Sequence, residues 1–194
     1  MTGPARADVP PSIGVPRDYK LLVPREWFRI DLTRDRWRAG LKTFVDRQAQ
    51  GKSVSAEITR NVWTTLRNTA EAARSRGAIE FFLLATSPSG GLPASLLVSS
   101  VPTGKTPADP EKYAAWLELR EVEGGSPARR EVSVIELSAG AAVRLLGETT
   151  LDVHICMPGG TGYLTLCFSA PLTGMSGPME RLCDAIAGSV RWVM

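Results

Sequence analysis

His154 is the single histidine of this chain, so any Ser-His or Cys-His catalytic pair has to use it, and no Gly-x-Ser-x-Gly elbow accompanies it. Cys156 stands two residues on, a spacing that puts both side chains on one face of a strand. Cys167 and Cys183 would complete four zinc ligands, yet no Cys-x-x-Cys is present and the spacing matches no familiar zinc site. With the intervening turn centred on Gly160, His154 and Cys156 are expected on the face that carries Leu164, Leu166 and Phe168, with Cys167 on the other. No metal and no cofactor are expected, and these residues read as buried thiols beside a core or rim histidine.

Gly104-Lys105-Thr106 has the ending of a phosphate-binding loop, but Ser99 stands where that loop needs its first glycine. Pro107 also blocks the helix whose amides would hold the phosphates, so this is a loop. Pro158-Gly159-Gly160-Thr161-Gly162 lies between two strand-like runs and reads as a hairpin turn. Glu118, Glu121 and Glu123 read as a solvated acidic face.

Arg60, Arg67 and Arg74 stand seven residues apart, which lines three guanidinium groups along one helix, flanked by Asn61 and Asn68. At about 100° per residue the stripe is read as lying about 160 to 200° from the apolar seam through Val62 and Leu66, and so facing solvent. Forked guanidinium donors match carboxylates and phosphates, so the stripe is the candidate partner-binding surface; a solubilising face is the plainer alternative.

The elements that position these residues follow from spacing. Residues 1–18 are proline-rich and read as a flexible tail, leaving 19–194 as one domain. Tyr19 to Val23 and Trp27 to Leu32 read as strands. A helix capped by Thr33 or Asp35 runs to about Gln50, with Trp37, Leu41, Phe44 and Val45 on its buried stripe, and Gly51 and Lys52 end it. A second helix, capped by Ser53 or Ser55, runs to about Arg76 with Val54, Ile58, Val62, Leu66, Ala70 and Ala73 as its seam. The two helices are expected to share a core face.

A hairpin over Ala78 to Thr86 and Pro93 to Val101 turns at Ser87 to Gly91, and Asp109-Pro110 opens a helix carrying Tyr113, Trp116 and Leu117. Glu131 to Leu137, Ala141 to Leu146, Leu151 to Met157 and Tyr163 to Phe168 form a meander. A last helix, Pro178 to about Ser189, leads to Trp192, which should anchor the chain against the sheet. The fold class is therefore α+β, an antiparallel sheet of about six to seven strands flanked by helices.

Hydrophobic residues at 43% and charged residues at 22% are ordinary globular usage. A net charge of +3 is too small for a dedicated nucleic-acid binder. The charge is uneven: residues 17–76 carry 14 Lys and Arg against 7 Asp and Glu, and residues 77–194 carry 8 against 12. No run approaches the roughly 18 apolar residues of a membrane span, and the start lacks a signal-peptide core, so a cytoplasmic location with reduced thiols is expected.

Three stretches carry a family resemblance: 137–144 (Leu-Ser-Ala-Gly-Ala-Ala-Val-Arg), 163–171 (Tyr-Leu-Thr-Leu-Cys-Phe-Ser-Ala-Pro) and 184–192 (Asp-Ala-Ile-Ala-Gly-Ser-Val-Arg-Trp). With the order of elements, they resemble PsbP/Mog-like fold proteins, nearest the small actinobacterial group related to the LpqN-type lipoproteins, over residues 130–193. The lipoprotein signal and acylated cysteine of that group are not seen. The resemblance implies protein binding rather than a shared reaction, and it carries over no catalytic residue. The reading that results is a non-enzymatic interaction module for a protein partner, acidic by charge complementarity, bound through the basic helix face or the open side of the sheet. The alternative is a small-molecule-binding protein or enzyme with a pocket between sheet and helices near His154.

Overall fold

The computed structural model describes residues 16–50, 55–84, 94–104, 106–119 and 130–194. The stretch up to residue 15, Gly51 to Val54, the Ser87 to Gly91 turn, Lys105, Glu121 and Glu123 lie outside the described residues.

The protein is α+β. Its strands are β1 (Asp18–Lys20), β2 (Trp27–Asp31), β3 (Ala78–Leu84), β4 (Ala94–Pro102), β5 (Glu131–Leu137), β6 (Gly140–Leu146), β7 (Thr150–Cys156), β8 (Gly162–Ser169) and β9 (Arg191–Val193). Its helices are α1 (Trp37–Ala49), α2 (Ala56–Ser75), α3 (Pro110–Leu119) and α4 (Gly177–Gly188). Seven strands form one antiparallel sheet in the order β2-β3-β4-β8-β7-β6-β5, and β1 pairs with β9 in a separate two-stranded ribbon. The meander β5-β6-β7-β8 and the β3-β4 hairpin follow the expected pairing, because short connections leave antiparallel neighbours as the available geometry.

The sheet buries both faces. On one face α1 and α2 cover the β2-β3 end, where Trp37, Leu41, Phe44, Val45, Leu66 and Ala70 pack on Ile30, Phe81 and Leu83. On the same face α3 covers the other end, with Ala114 and Leu117 on Val143 and Leu145. The opposite face carries the larger core, in which Cys183, Ile186 and Ala187 of α4 meet Leu96, Val98, Leu151, Val153, Leu166 and Phe168. Strand alternation sends successive residues to these two cores, which is why β3, β7 and β8 are apolar throughout much of their length.

Local chemistry sets most of the ends. The Ser55 hydroxyl accepts from the Ile58 N–H at 3.2 Å at the start of α2, and Asp109 Oδ1 accepts from the Lys112 N–H at 3.1 Å before Pro110 opens α3. The start of α1 differs from expectation: its cap position is Arg36, with no side-chain cap. Asp31 acts one turn earlier, accepting from the Thr33 N–H at 3.0 Å and holding the β2-α1 connection. Trp192 anchors as expected, its indole N–H donating to the Ala139 carbonyl at 2.7 Å.

Two spacing expectations are corrected. The buried side of α2 follows Thr59, Trp63, Leu66 and Ala70, so Ile58, placed in the seam by sequence, is 54% exposed. In the β7-β8 hairpin, Asp152, His154 and Cys156 face Cys167, Thr165 and Tyr163. Cys167 therefore shares the face of His154 and Cys156, while Leu164, Leu166 and Phe168 lie on the other. The cause is a four-residue connection closed by the Met157 N–H donating to the Gly162 carbonyl at 2.9 Å, which centres the turn between residues 159 and 160. A one-position error in pairing moves every side chain to the other face.

Candidate functional site

The three arginines of α2 do not share one environment. Arg60 and Arg74 are exposed and make no ion pair among the described residues. Arg67 is half-buried: its Nε lies 4.0 Å from Glu71 Oε1, and its Nη2 donates to Asn68 Oδ1 at 3.3 Å. Glu71 in turn takes Arg38 of α1 at 2.9 Å, so Arg67 flanks, from within α2, an ion pair that bridges the two helices. This corrects the expected single solvent-facing stripe: at about 100° per residue, position 67 stands only about 100° from the buried Leu66, not about 160 to 200°.

Beside Arg60, the α1-α2 seam opens into a notch of about 310 Å³ lined by Lys42, Val45, Asp46, Ala56, Thr59, Arg60 and Trp63. Val45 is buried and Trp63 half-buried, giving apolar walls. Lys42 Nζ bonds Asp46 at 2.7 Å, which neutralises that pair and leaves Arg60 as the uncompensated charge at the rim. An apolar wall beside an unpaired guanidinium suits an apolar side chain flanked by carboxylates.

His154 is 8% exposed. Its Nδ1 and Thr165 Oγ1 are hydrogen-bonded at 3.1 Å, and the edge of Tyr113 meets its ring at a centroid distance of 5.0 Å. Tyr113 also stacks on Tyr163 at 4.8 Å and on Trp116 at 5.7 Å. Burial lowers the His154 pKa to about 4, so the imidazole is neutral at physiological pH. Burial raises the Cys167 thiol, with the Asp152 charge adding to it, and raises Cys183 to about 12. Asp152 is itself raised, by burial foremost. Neutral thiols are poor nucleophiles and poor metal ligands. Among the described residues, no group of three His, Cys, Asp or Glu side chains could hold a metal ion.

A second concavity of about 800 Å³ lies on the opposite sheet face from His154, between the 18–25 segment and the β2-β3 end of the sheet. At its base Glu80 is 7% exposed and accepts from both the Tyr19 hydroxyl and the Arg29 guanidinium. Spacing in sequence did not single out any of its residues, because they come from separate segments brought together only by pairing of β2 with β3 and β1 with β9. A lone acidic residue within the apolar run of β3 was the one available signal. Among the described residues no helix is long and apolar enough to cross a membrane. Comparison of the chain with protein-family models, with curated proteins and with solved structures finds no match.

Proposed function

We propose that this chain is a non-enzymatic interaction module that binds an acidic segment of a protein partner, with an apolar anchor, at the α1-α2 surface. The observation that carries this reading is the unpaired Arg60 at the rim of the notch walled by Val45 and Trp63. The excess of basic residues in 17–76 would steer such a segment toward this end of the molecule. The neutral, packed surroundings of His154 favour this reading over turnover chemistry there. Arg60 and Arg74 are the contacts, while Arg67 lies beside the Arg38–Glu71 bridge between the two helices. The resemblance of residues 130–193 to LpqN-related proteins is in keeping with a binding role and assigns no residue to this surface.

Fluorescence anisotropy with a labelled Glu/Asp-rich peptide bearing one central Phe tests the proposal. Saturable binding is expected, at least tenfold weaker for Arg60→Glu, weakened by salt, and lost when Phe becomes Ser or the acids become Lys. Equal binding of the lysine peptide, or an affinity indifferent to Arg60→Glu with Arg74→Glu, overturns it.

A further inference from the structure

We propose that the cleft beneath residues 18–25 is a binding site for an anionic amphiphile, a carboxylate carried on an apolar or aromatic body. This goes beyond the partner-binding surface, which is built from α1 and α2, whereas the cleft is lined by the 18–25 segment and by β2 and β3. The segment is fixed over the sheet at three points. The β1 strand pairs with β9, the Leu22 N–H donates to the Ser189 hydroxyl at 2.9 Å, and the Tyr19 hydroxyl donates to Glu80. Between these points and the sheet lies the space of about 800 Å³, within the range that small-ligand sites occupy. Leu21 and Val23 line it from the segment, and Trp27, Ile79 and Phe82 from the sheet.

The charge of the ligand follows from which lining groups are already used. Glu80 is engaged by Arg29 and Tyr19. Asp31 accepts from Thr33 and pairs with Arg34 at 2.8 Å. Asp18 accepts from the Tyr19 N–H at 2.8 Å, a neutral donor that leaves its single negative charge in place. The side chains of Lys20 and Arg25 have no ion pair or hydrogen-bond partner among the described residues, so two free cations stand against Asp18 and the net uncompensated charge on the lining is positive.

The second observation is independent of charge. Trp27 is 6% exposed, and its indole N–H is buried with no acceptor. A buried donor left unpaired is costly, and Trp27 lines the cleft, so a small turn of its ring toward an oxygen of a bound ligand would relieve that cost. Apolar walls, an unmet donor and two free cations together select an oxygen-bearing anion with a greasy body over a cation or a neutral hydrocarbon.

Isothermal titration calorimetry of the full chain with decanoate and 2-naphthoate, below micelle formation, tests the site. Decanol and decyltrimethylammonium serve as neutral and cationic controls. One saturating equivalent of carboxylate is expected, weakened at least tenfold by Lys20→Gln with Arg25→Gln and several-fold by Trp27→Phe, with Arg60→Glu without effect. The Lys20 and Arg25 changes lie outside the core and keep the test decisive if Trp27→Phe fails to fold. Amide shifts in two-dimensional NMR should centre on Ile79 and Phe82. No saturation by either carboxylate, equal binding of the controls, or indifference to the Lys20 and Arg25 changes overturns the inference. Because Arg60→Glu is expected to weaken only the peptide site, failure here and failure of the partner-binding reading are distinguishable.

Discussion

At the scale of single residues, His154 shows how burial decides chemistry. A lone histidine beside a cysteine suggests a reactive pair, yet the ring is packed between Thr165 and Tyr113 and its protonated form is disfavoured. A pKa of about 4 in the folded chain against an ordinary 6.5 means the unfolded chain binds the proton more readily. Stability is therefore complete above about pH 6.5 and is lost as pH falls from there toward 4, by roughly 3 kcal/mol in all. Asp152, whose pKa is raised, contributes a slope of the opposite sign, so comparison with His154→Gln isolates the histidine. Denaturant unfolding at pH 7 and pH 4.5 should show the wild type losing more stability than the variant between the two. Equal losses would mean that His154 titrates normally.

At the scale of elements, apolar spacing made most strands and helices legible, because each is paired or packed along a repeating face. What spacing could not supply was the phase of one strand against another. The β7-β8 pairing depends on a 3-10 turn at Pro158–Gly160, in which Gly159 and Gly160 take positive φ values of 77° and 69°, and no alternation within either strand encodes that choice. Gly162 is also required there, since a Cβ would run into the Val101 carbonyl. Ionic packing between elements was equally hidden. Arg144 of β6 was visible as one residue of a strand, whereas the structure places it 12% exposed against Asp184 at 3.0 Å and Glu180 at 2.6 Å on α4. Arg144→Met is expected to cost about 1–2 kcal/mol, because the two carboxylates are part-exposed and can rehydrate. Adding Glu180→Gln and Asp184→Asn should recover most of it, as chemical denaturation would read. No recovery would show that the pairing does not carry the loss.

At the scale of the whole molecule, the sheet is closed on both faces by helices from different parts of the chain, and the β1-β9 ribbon ties residues near both ends together. Arg17 N–H donates to Val193 O at 2.9 Å, and Trp192 reaches Ala139, so each strand of the ribbon supports the other. Removing residues 1–20 and removing 191–194 should each lower Tm by roughly 3–6 °C, and both together by less than the sum, since either deletion already abolishes the pairing. Additive losses by scanning calorimetry would mean the strands act separately. The ribbon also imposes an order of events. A contact between the earliest and the latest described strands cannot form until Val193 has emerged from the ribosome, and pairing across so long a separation costs more loop-closure entropy than a hairpin. The β2-β3-β4 layer can assemble earlier, and Tyr19 can reach Glu80 there, but β1 has no strand to pair with until β9 is made. Ligand binding in the proposed cleft would thus depend on β9, and a chain lacking β9 should bind more weakly there.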